Sequence, residues 1–463
     1  MKEDLLKGPW PSRGANEEEL RQIWQGLLKG ENGNVCWKKT PVLGFPSMSP
    51  HKLGSRVFKI FQTQHTNAIL THTRGKGEKG FEGISTLERA VIRMTGGLLG
   101  ASEEVDGYIT SGGTEANIMG LWVGREKLRT EIKDPNDERV SVLCSAFTHY
   151  SINKACSILG LGEGKWGPGA GYDSLKDKEC CSHFIPAEDG SGLQIIKCHN
   201  NGAINLKALS EKIQYLLEEK GIKRFIILSN EGTTMTGAMD DTKQIAEIAE
   251  MFESSHNHEV GFYIHVDAAY GGFVYPFLDP DGQWAFRVPR VDSVTVDPYK
   301  MGQAPLAQGI FMCRKDFQKY IQRTTGYVND QYDDTLIGSR SGANAAAFWA
   351  IICSEGFEGF EKMHKESLVK AKYLESKLQN LGYDTIQELN MVAFTLPDSL
   401  TPQTLQKFDD MVIHPFHLMW NLVNMDPENI ESKPVRMVKF NITRDVQIKW
   451  IDDFLTKFTE ALS

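Results

Sequence analysis

The stretch SVTVDPYKMG, residues Ser293–Gly302, and the stretch HVDAAYGG, residues His265–Gly272, each join an apolar run to a charged side chain. The first run leads to Lys300, and the second ends at Asp267. Short apolar runs of this kind are typical of strands that are buried on both faces of a mostly parallel sheet. Because strand ends in such a sheet point into a common crevice where ligands bind, we expect these two residues to share one site.

Other apolar runs, separated by helical stretches, continue this pattern from about residue 55 to about residue 340. The alternation predicts an α/β protein in which helices cover both faces of the sheet. The strands predicted for the sheet are Gly107–Thr110, Val140–Cys144, Arg224–Ser229, Phe262–Val266, Ser293–Val296 and Gly309–Cys313.

The C-terminal part changes to the pattern of a small α+β domain. Three parts are therefore expected: an N-terminal helical segment at 1–55 that packs on the main body or on a second subunit, a large domain at 56–342, and a linking helix with the small domain at 343–463. The elements predicted for the last part are helices at Ala343–Ile352, Phe360–Leu381, Gln403–Asn424 and Val446–Leu462, and strands at Met391–Leu396 and Arg436–Asn441.

Composition excludes several classes of protein. The chain of 463 residues has a net charge of −9 and no long block of like charge, which argues against nucleic acid or an acidic membrane surface as its main partner. Eight scattered cysteines form no CxxC pair, so no metal site is expected and the usage fits a reducing cytoplasm. The sequence MKEDLLKGPW lacks a signal-peptide core, and no apolar run approaches the ~18 residues that a membrane span needs.

The stretch Thr110–Asn117, TSGGTEAN, passes from a predicted strand into a predicted helix. Free backbone N–H groups at such a helix start can bind an anion, and Gly112 and Gly113 allow the backbone to approach a phosphate closely. An ordinary tight turn between strand and helix has the same composition, so both interpretations stay open for this stretch alone.

The amine of Lys300 and the carboxylate of Asp267 are the groups that pyridoxal phosphate requires. A lysine held in such surroundings with a lowered pKa is a candidate for the covalent bond to the cofactor. An aspartate that ends an apolar strand needs a partner, and a pyridinium N–H would provide one. Taken singly, each residue fits a structural role better: Asp267 as the cap of a loop, and Lys300 as a lysine that extends to solvent from a strand end.

Two further segments follow strands of the same sheet. His149, in SAFTHYSINKA, can stack on a flat heteroaromatic ring, and Thr233, in SNEGTTMTG, can offer a hydroxyl to a cofactor. A buried histidine and a simple turn are the alternatives. The chain order of anion turn, histidine, Gly-Thr-Thr, aspartate and lysine makes a common cofactor site the better interpretation.

With these motifs the chain resembles fold-type I pyridoxal-phosphate enzymes, and more narrowly the group II amino-acid decarboxylases. The resemblance spans about residue 45 to the C-terminus, and its motifs are closest to the archaeal tyrosine/aspartate decarboxylase branch. It implies a mostly parallel seven-stranded sheet, a homodimer with shared active sites, and conversion of an amino acid to its amine and carbon dioxide. The motifs that carry it are TSGGTEAN, HVDAAYGG, TVDPYKMG and GSRSGA, the last at Gly338–Ala343.

The resemblance also implies roles for individual residues. Lys300 would bond the cofactor, Asp267 would pair with its ring nitrogen, and His149 would stack on its ring. The catalytic set is Lys300, Tyr327, His149 and Asp267, and the cofactor-binding set is Ser111, Gly112, Gly113, Thr114, His149, Thr233, Asp267, Ala269, Asp297, Lys300 and Arg340.

The loop at about 321–337 is expected to bring a tyrosine to the neighbouring subunit's site. Tyr327 matches the family's tyrosine best, Tyr332 is the second choice, and Arg340 is expected to reach the partner's cofactor region or the substrate carboxylate. One residue departs from the family pattern, because Tyr299 precedes the lysine where relatives usually have histidine. A tyrosine titrates near ~10 rather than ~6.5, so substrate range or reaction outcome could differ.

Two other functions fit part of the pattern. A carbon–carbon lyase of the sphingosine-phosphate-lyase type shares the fold and a related GSRxG loop, although it would need a second phosphate site. A cofactor-binding protein without catalytic activity is the other alternative, and the intact lysine–aspartate pair argues against it.

Overall fold

The structure is a computed structural model that describes most of the chain. The described residues are 16–28, 41–64, 66–75, 77–134, 137–162, 165–166, 184–327, 332–397, 400, 403–404, 407, 416, 418–429, 432 and 434–462. Most of the glycine-rich stretch 160–171, for which the sequence left open a substrate entrance or a surface loop, lies outside them.

A seven-stranded sheet forms the centre of the molecule and confirms the predicted fold class. One strand, Gly309–Arg314, is antiparallel to both of its neighbours, and the remaining paired strands are parallel. In spatial order the strands are Val105–Thr110, Gly309–Arg314, Ser293–Val296, Gly261–Asp267, Arg224–Asn230, Ser141–Ser145 and Gly192–Ile196. The last of these is an addition to the six that the sequence predicted.

Helices cover both faces of this sheet, as the strand side chains show. Phe225 and Ile227 belong to one hydrophobic core, whereas Ile226 and Leu228 belong to the core on the opposite face. A strand buried on both faces shows this arrangement because its side chains alternate. The α-helices are Glu17–Leu28, Lys52–Gln62, Glu82–Leu98, Gly113–Glu131, Ser151–Ile158, Leu206–Glu218, Thr242–Ser255, Tyr275–Leu278, Gly342–Asn380 and Ile448–Leu462.

The long helix Gly342–Asn380 is interrupted at Gly356, where φ is 60° and ψ is −174°. Only glycine adopts this backbone region readily, which explains why the sequence pattern indicated two helices on either side of it. The C-terminal half of the helix packs with Ile448–Leu462 on a separate four-stranded antiparallel sheet. The division of the chain at 55/56 and 342/343 stays a prediction.

The small sheet corrects one predicted element. Its strand order is Thr385–Glu388, Met391–Thr395, Val435–Asn441 and Met419–Val423. The helix predicted over Gln403–Asn424 is therefore wrong at its end, since the sequence MWNLV pairs along the edge of Val435–Asn441. Aromatic and β-branched residues favour strands, and the open edge of the sheet supplies the hydrogen bonds.

The segment 41–50 joins the small sheet to the loop that carries Lys300. Asn441 N–H donates to the Leu43 carbonyl at 2.6 Å, and Ser47 Oγ donates to the Tyr299 carbonyl at 3.0 Å. Backbone and side-chain bonds of one short segment thus fix both parts of the molecule relative to each other.

Among the described residues, no helix combines the length and the apolar character that crossing a membrane requires.

The helix Gly113–Glu131 lies so close to the sheet that Gly120→Ala should destabilise the protein. An added Cβ would lie 2.4 Å from Cε1 and Nδ1 of the buried His265 ring. Overpacking of this kind costs about 1–3 kcal/mol, which urea denaturation will measure as a loss of unfolding free energy.

The matched control is Gly97→Ala in the helix Glu82–Leu98, where a Cβ would meet nothing within 4 Å. Alanine is the better helix former by up to about 1 kcal/mol, so this change should be neutral or stabilising. Equal effects of the two substitutions would contradict the close approach at Gly120.

Candidate active site

Asp267 is buried at the end of the strand Gly261–Asp267, with 7% of its surface exposed. Its Oδ2 accepts a hydrogen bond from Asn117 Nδ2 at 2.8 Å, and its Oδ1 accepts one from the Ala269 N–H at 3.1 Å. Both donors are uncharged. The carboxylate is therefore oriented by the protein but not neutralised by these bonds, as a site for a protonated ring nitrogen requires.

Asn117 links Asp267 to two histidines. Its Nδ2 also donates to Ser151 Oγ at 2.9 Å, and that hydroxyl lies 2.8 Å from His149 Nδ1. Its Oδ1 lies 3.0 Å from His265 Nε2. The sequence analysis missed Asn117, Ser151 and His265 as members of the site, although Asn117 lies in the quoted TSGGTEAN motif.

The two histidines of this network are held in the neutral state. Burial lowers the pKa of His265 to about 4, against a smaller opposing effect of Asp267. Burial also lowers the pKa of His149; Asp267 opposes this, and the positive charges of Lys300, Lys154 and Lys439 act in the same direction as burial. A neutral imidazole at position 149 suits stacking on a flat ring better than a charged one would.

Lys300 follows the strand Ser293–Val296, and its Nζ lies 3.0 Å from Asp297 Oδ2. Burial is the largest single influence and disfavours the ammonium, but Asp297, Tyr299 and Asp267 together outweigh it and raise the pKa of Lys300 above its ordinary value. The lowering of this pKa that the sequence led us to expect is therefore wrong. The physical reason is the neighbouring carboxylate three residues earlier, which the sequence analysis did not pair with the lysine.

The glycine turn lies against the same carboxylate. A Cβ at Gly113 would be 2.8 Å from Asp297 Oδ2, whereas a Cβ at Gly112 would meet nothing within 4 Å. Gly112 has φ 155° and ψ 172°, a region that is essentially restricted to glycine. The first bond of the helix runs from Ala116 N–H to the Gly112 carbonyl, so the N–H groups before it have no acceptor within the helix.

Some predicted cofactor contacts are engaged within the chain. Ser111 donates through both its N–H and its Oγ to Glu115 Oε2, at 2.7 Å each. Thr233 Oγ1 lies 2.8 Å from Thr236 Oγ1 and accepts from the Ala238 N–H at 3.1 Å. Their roles at the cofactor, like that of Thr114, stay predictions.

Arg340 lies outside this cluster of residues. Its guanidinium donates to Glu88 Oε1 at 2.7 Å and to the Leu70 and Ile109 carbonyls, and it covers the Tyr108 ring at 4.4 Å. These contacts hold the guanidinium within its own chain, where it joins the residues around it. They do not support a role at the cofactor or substrate, which stays a prediction.

Tyr327 has 90% of its surface exposed. Tyr332, the second choice, lies under the Arg74 guanidinium at 5.4 Å from its ring centre. The residues between them, 328–331, lie outside the described residues.

The residues present fit pyridoxal phosphate. They supply an amine whose side chain is only 16% exposed, a carboxylate bonded to neutral donors, an open glycine turn at a helix start, and a neutral imidazole. In addition, Asp297 Oδ1 has no hydrogen-bond partner among the described residues although it is buried. The fold and the site thus define a pyridoxal-phosphate enzyme of the α/β class.

Comparison with known proteins identifies the family. Residues 83–396 match the family described as the pyridoxal-dependent decarboxylase conserved domain. Tryptophan decarboxylase of Clostridium sporogenes is 32% identical over 72% of this chain and 72% of its own. A probable L-tyrosine/L-aspartate decarboxylase of Methanococcus aeolicus is 29% identical over 96% and 97%. Lactobacillus brevis glutamate decarboxylase has a similar structure, with a TM-score of 0.77 at 17% identity, covering 98% of this chain and 94% of its own.

The chain belongs to the pyridoxal-dependent decarboxylase family. It is a pyridoxal-phosphate-dependent amino-acid decarboxylase, as the motifs predicted. This identification takes precedence over the carbon–carbon lyase and the non-catalytic protein considered from the sequence.

His265 allows a test of the buried network by pH. Its folded pKa of about 4 lies below the ordinary 6.5, so the unfolded chain binds the extra proton and stability falls as pH drops from 6.5 towards 4. His265→Asn cannot titrate. The stability of the wild type relative to this variant should therefore fall by roughly 2–3 kcal/mol over that range, as measured by urea denaturation at several pH values. A constant difference between the two proteins would show that His265 is not held neutral.

Proposed function

We propose that Lys300 forms the covalent bond to pyridoxal phosphate and that Asp267 pairs with its ring nitrogen, in a site that removes the carboxylate of an L-amino acid. The observation that supports this most directly is the common environment of the two groups. Lys300 is buried beside Asp297, and the charge of Asp267 also acts on it. When bound, the cofactor withdraws electrons from the bond that breaks at the substrate Cα.

Asp267 keeps its negative charge directed at one point. Asn117 Nδ2 and the Ala269 N–H hold its two oxygens without cancelling the charge. A fixed carboxylate in a site shielded from water stabilises a positive charge more strongly than one in water. We assign to it the task of keeping the ring nitrogen protonated.

In this proposal the phosphate is held by Gly112, Gly113 and Thr114. Ser111 precedes them and stabilises the turn through its bonds to Glu115. The N–H groups of the helix start have no acceptor within the helix, and the helix dipole favours an anion there. The open space beside Gly112 supports this assignment.

His149 and Asp297 complete the proposed site. The neutral His149 ring covers the cofactor face, with its orientation fixed by the bond to Ser151. Asp297 lies 3.0 Å from the Lys300 amine, where it stabilises the ammonium and would accept the proton that the amine has to lose before it can form a covalent bond.

A homodimer with shared sites is part of the same proposal. Three large apolar side chains of the loop at about 321–337 are exposed in the single chain, namely Tyr327, Leu336 and Ile337, and so is Leu306. Exposed apolar groups of this kind are typical of a subunit interface. A cytoplasmic location is proposed as well, supported by the free thiols at Cys144, Cys198, Cys313 and Cys353.

Lys300→Ala should abolish covalent attachment of the cofactor, because the variant lacks the amine that forms the bond. Borohydride reduction followed by peptide mass spectrometry should find the cofactor mass on the Lys300 peptide of the wild type alone. Lys154→Ala, a lysine near His149 with its ammonium over the Tyr150 ring, is the control that should keep the modification. Cofactor bound covalently to the Lys300→Ala protein would disprove the assignment.

Tyr327→Phe should leave cofactor binding intact and slow the formation of amine, since the phenol would no longer be available to protonate the substrate Cα. The amine and oxidative side products will be measured by mass spectrometry. Tyr332→Phe is the matched control from the same loop and should retain activity.

Mixing Tyr327→Phe chains with Lys300→Ala chains tests the shared site directly. If one subunit supplies the tyrosine and the other the lysine, half of the dimers contain one complete site, and roughly a quarter of the wild-type activity should return. If well-mixed dimers recover no activity, each active site takes both its lysine and its tyrosine from the same chain.

A further inference from the structure

Lys439 is completely buried in the small sheet, at a position where the sequence analysis predicted only a strand. It lies in the central strand Val435–Asn441, opposite Ala393 on one side and Met419 on the other. Its Nζ donates to the Thr234 carbonyl at 2.6 Å, and Thr234 belongs to the Gly-Thr-Thr turn beside the active site. The small sheet thus places a buried amine against the Gly-Thr-Thr turn of the large domain.

The environment of this amine lacks a negative partner. Among the described residues its hydrogen-bond acceptor is the uncharged Thr234 carbonyl, and no carboxylate of that part of the chain lies within 4 Å of it. Burial and, next, the charge of Lys300 lower the pKa of Lys439 to about 7, and Lys439 in turn acts on His149. Buried lysines are almost always paired with an anion. Among the described residues no anion is paired with the Lys439 amine.

Two other lysines of this chain have the hydrogen-bond or charge partners that Lys439 lacks. Lys300 is paired with Asp297. Lys370 donates to three backbone carbonyls, those of Thr443, Arg444 and Val446, and keeps away from the crevice. Lys439 has neither the carboxylate of the first nor the several acceptors of the second.

We infer that Lys439 is a specificity-determining residue that binds a second acidic group of the substrate, so that the enzyme prefers amino acids with an anionic side chain over their neutral counterparts. This inference rests on the proposed function, because it requires that the substrate occupy the crevice of Lys300 and Asp267. It names the class of substrate that the family membership leaves open.

The reaction itself favours a side-chain group over the α-carboxylate as the ligand of Lys439. The α-carboxylate loses its charge when it leaves as carbon dioxide. An ammonium bound to it would stabilise the substrate more than the transition state and would slow the reaction. A carboxylate that does not react can be bound tightly without this disadvantage, and its charge compensates the buried amine in both states.

The test compares glutamate with glutamine and aspartate with asparagine, since each pair differs only in the charge and hydrogen bonding of the side chain. Equilibrium binding to the cofactor-loaded enzyme will be measured by calorimetry, and release of carbon dioxide separately. The wild type should prefer the acidic member of at least one pair by roughly thirtyfold or more, which is the range for loss of a buried charge pair.

Lys439→Met should remove this preference, whereas Lys439→Arg should retain part of it. Lys370→Met is the control from the same domain and should keep the preference. Cofactor absorbance and thermal unfolding show that each variant is folded and loaded, and methionine at a buried, unpaired position is not expected to destabilise the protein.

Three results would overturn the inference: equal binding of acidic and neutral members by the wild type, an unchanged preference in Lys439→Met, or an equal loss for both members, which would place Lys439 on the α-carboxylate. A failure of the proposed function looks different. It would appear as an intact, Lys439-dependent preference in binding together with no release of carbon dioxide from any amino acid tested.

Discussion

The carboxylate of Asp267 imposes the constraint from which the rest of the site follows. It lies at the end of a buried strand and needs hydrogen-bond donors there, and both donors that hold it are uncharged. The chain meets this requirement with the Asn117 amide, which can reach Asp267 only because the helix Gly113–Glu131 lies almost against the sheet. That approach in turn requires glycine at 120 and 124, where side chains would collide with His265 and Tyr263.

The charges around the crevice are distributed unevenly. Lys300 has a carboxylate of its own in Asp297, whereas Asp267 is bonded to neutral donors and Lys439 to a neutral carbonyl. In a shielded site, unsatisfied charges of opposite sign at separate places define where a ligand of matching charge has to lie. In the proposed site, the positively charged ring nitrogen would lie beside Asp267, and an acidic group of the substrate would lie beside Lys439.

The sheet could be predicted from the sequence because its strands are short apolar runs, and Ser293–Val296 was found with the observed bounds. Gly192–Ile196 was missed because Gln194 interrupts its apolar character. Met419–Val423 was assigned to a helix because a short run of mixed residues has no clear period.

The site was predictable only where a residue follows a strand. Lys300, Asp267 and His149 were proposed on that signal, whereas Asn117 lies inside a helix and was interpreted as part of a turn motif. Lys439 gave no signal at all, since a single lysine in a strand normally points to solvent. Its burial depends on contact between two distant parts of the chain, which a pattern along the sequence does not reveal.

The segment 41–50 acts as a spacer of fixed length between the two sheets. It is bonded at Leu43 to the strand that contains Lys439 and at Ser47 to the loop that contains Lys300. The stretch from Leu43 to Ser47 therefore sets the distance between the Lys439 amine and the Lys300 amine. An insertion or deletion in it would therefore shift the small sheet relative to the Lys300 loop, whereas the buried Leu43 and Met48 also hold the segment in place by packing.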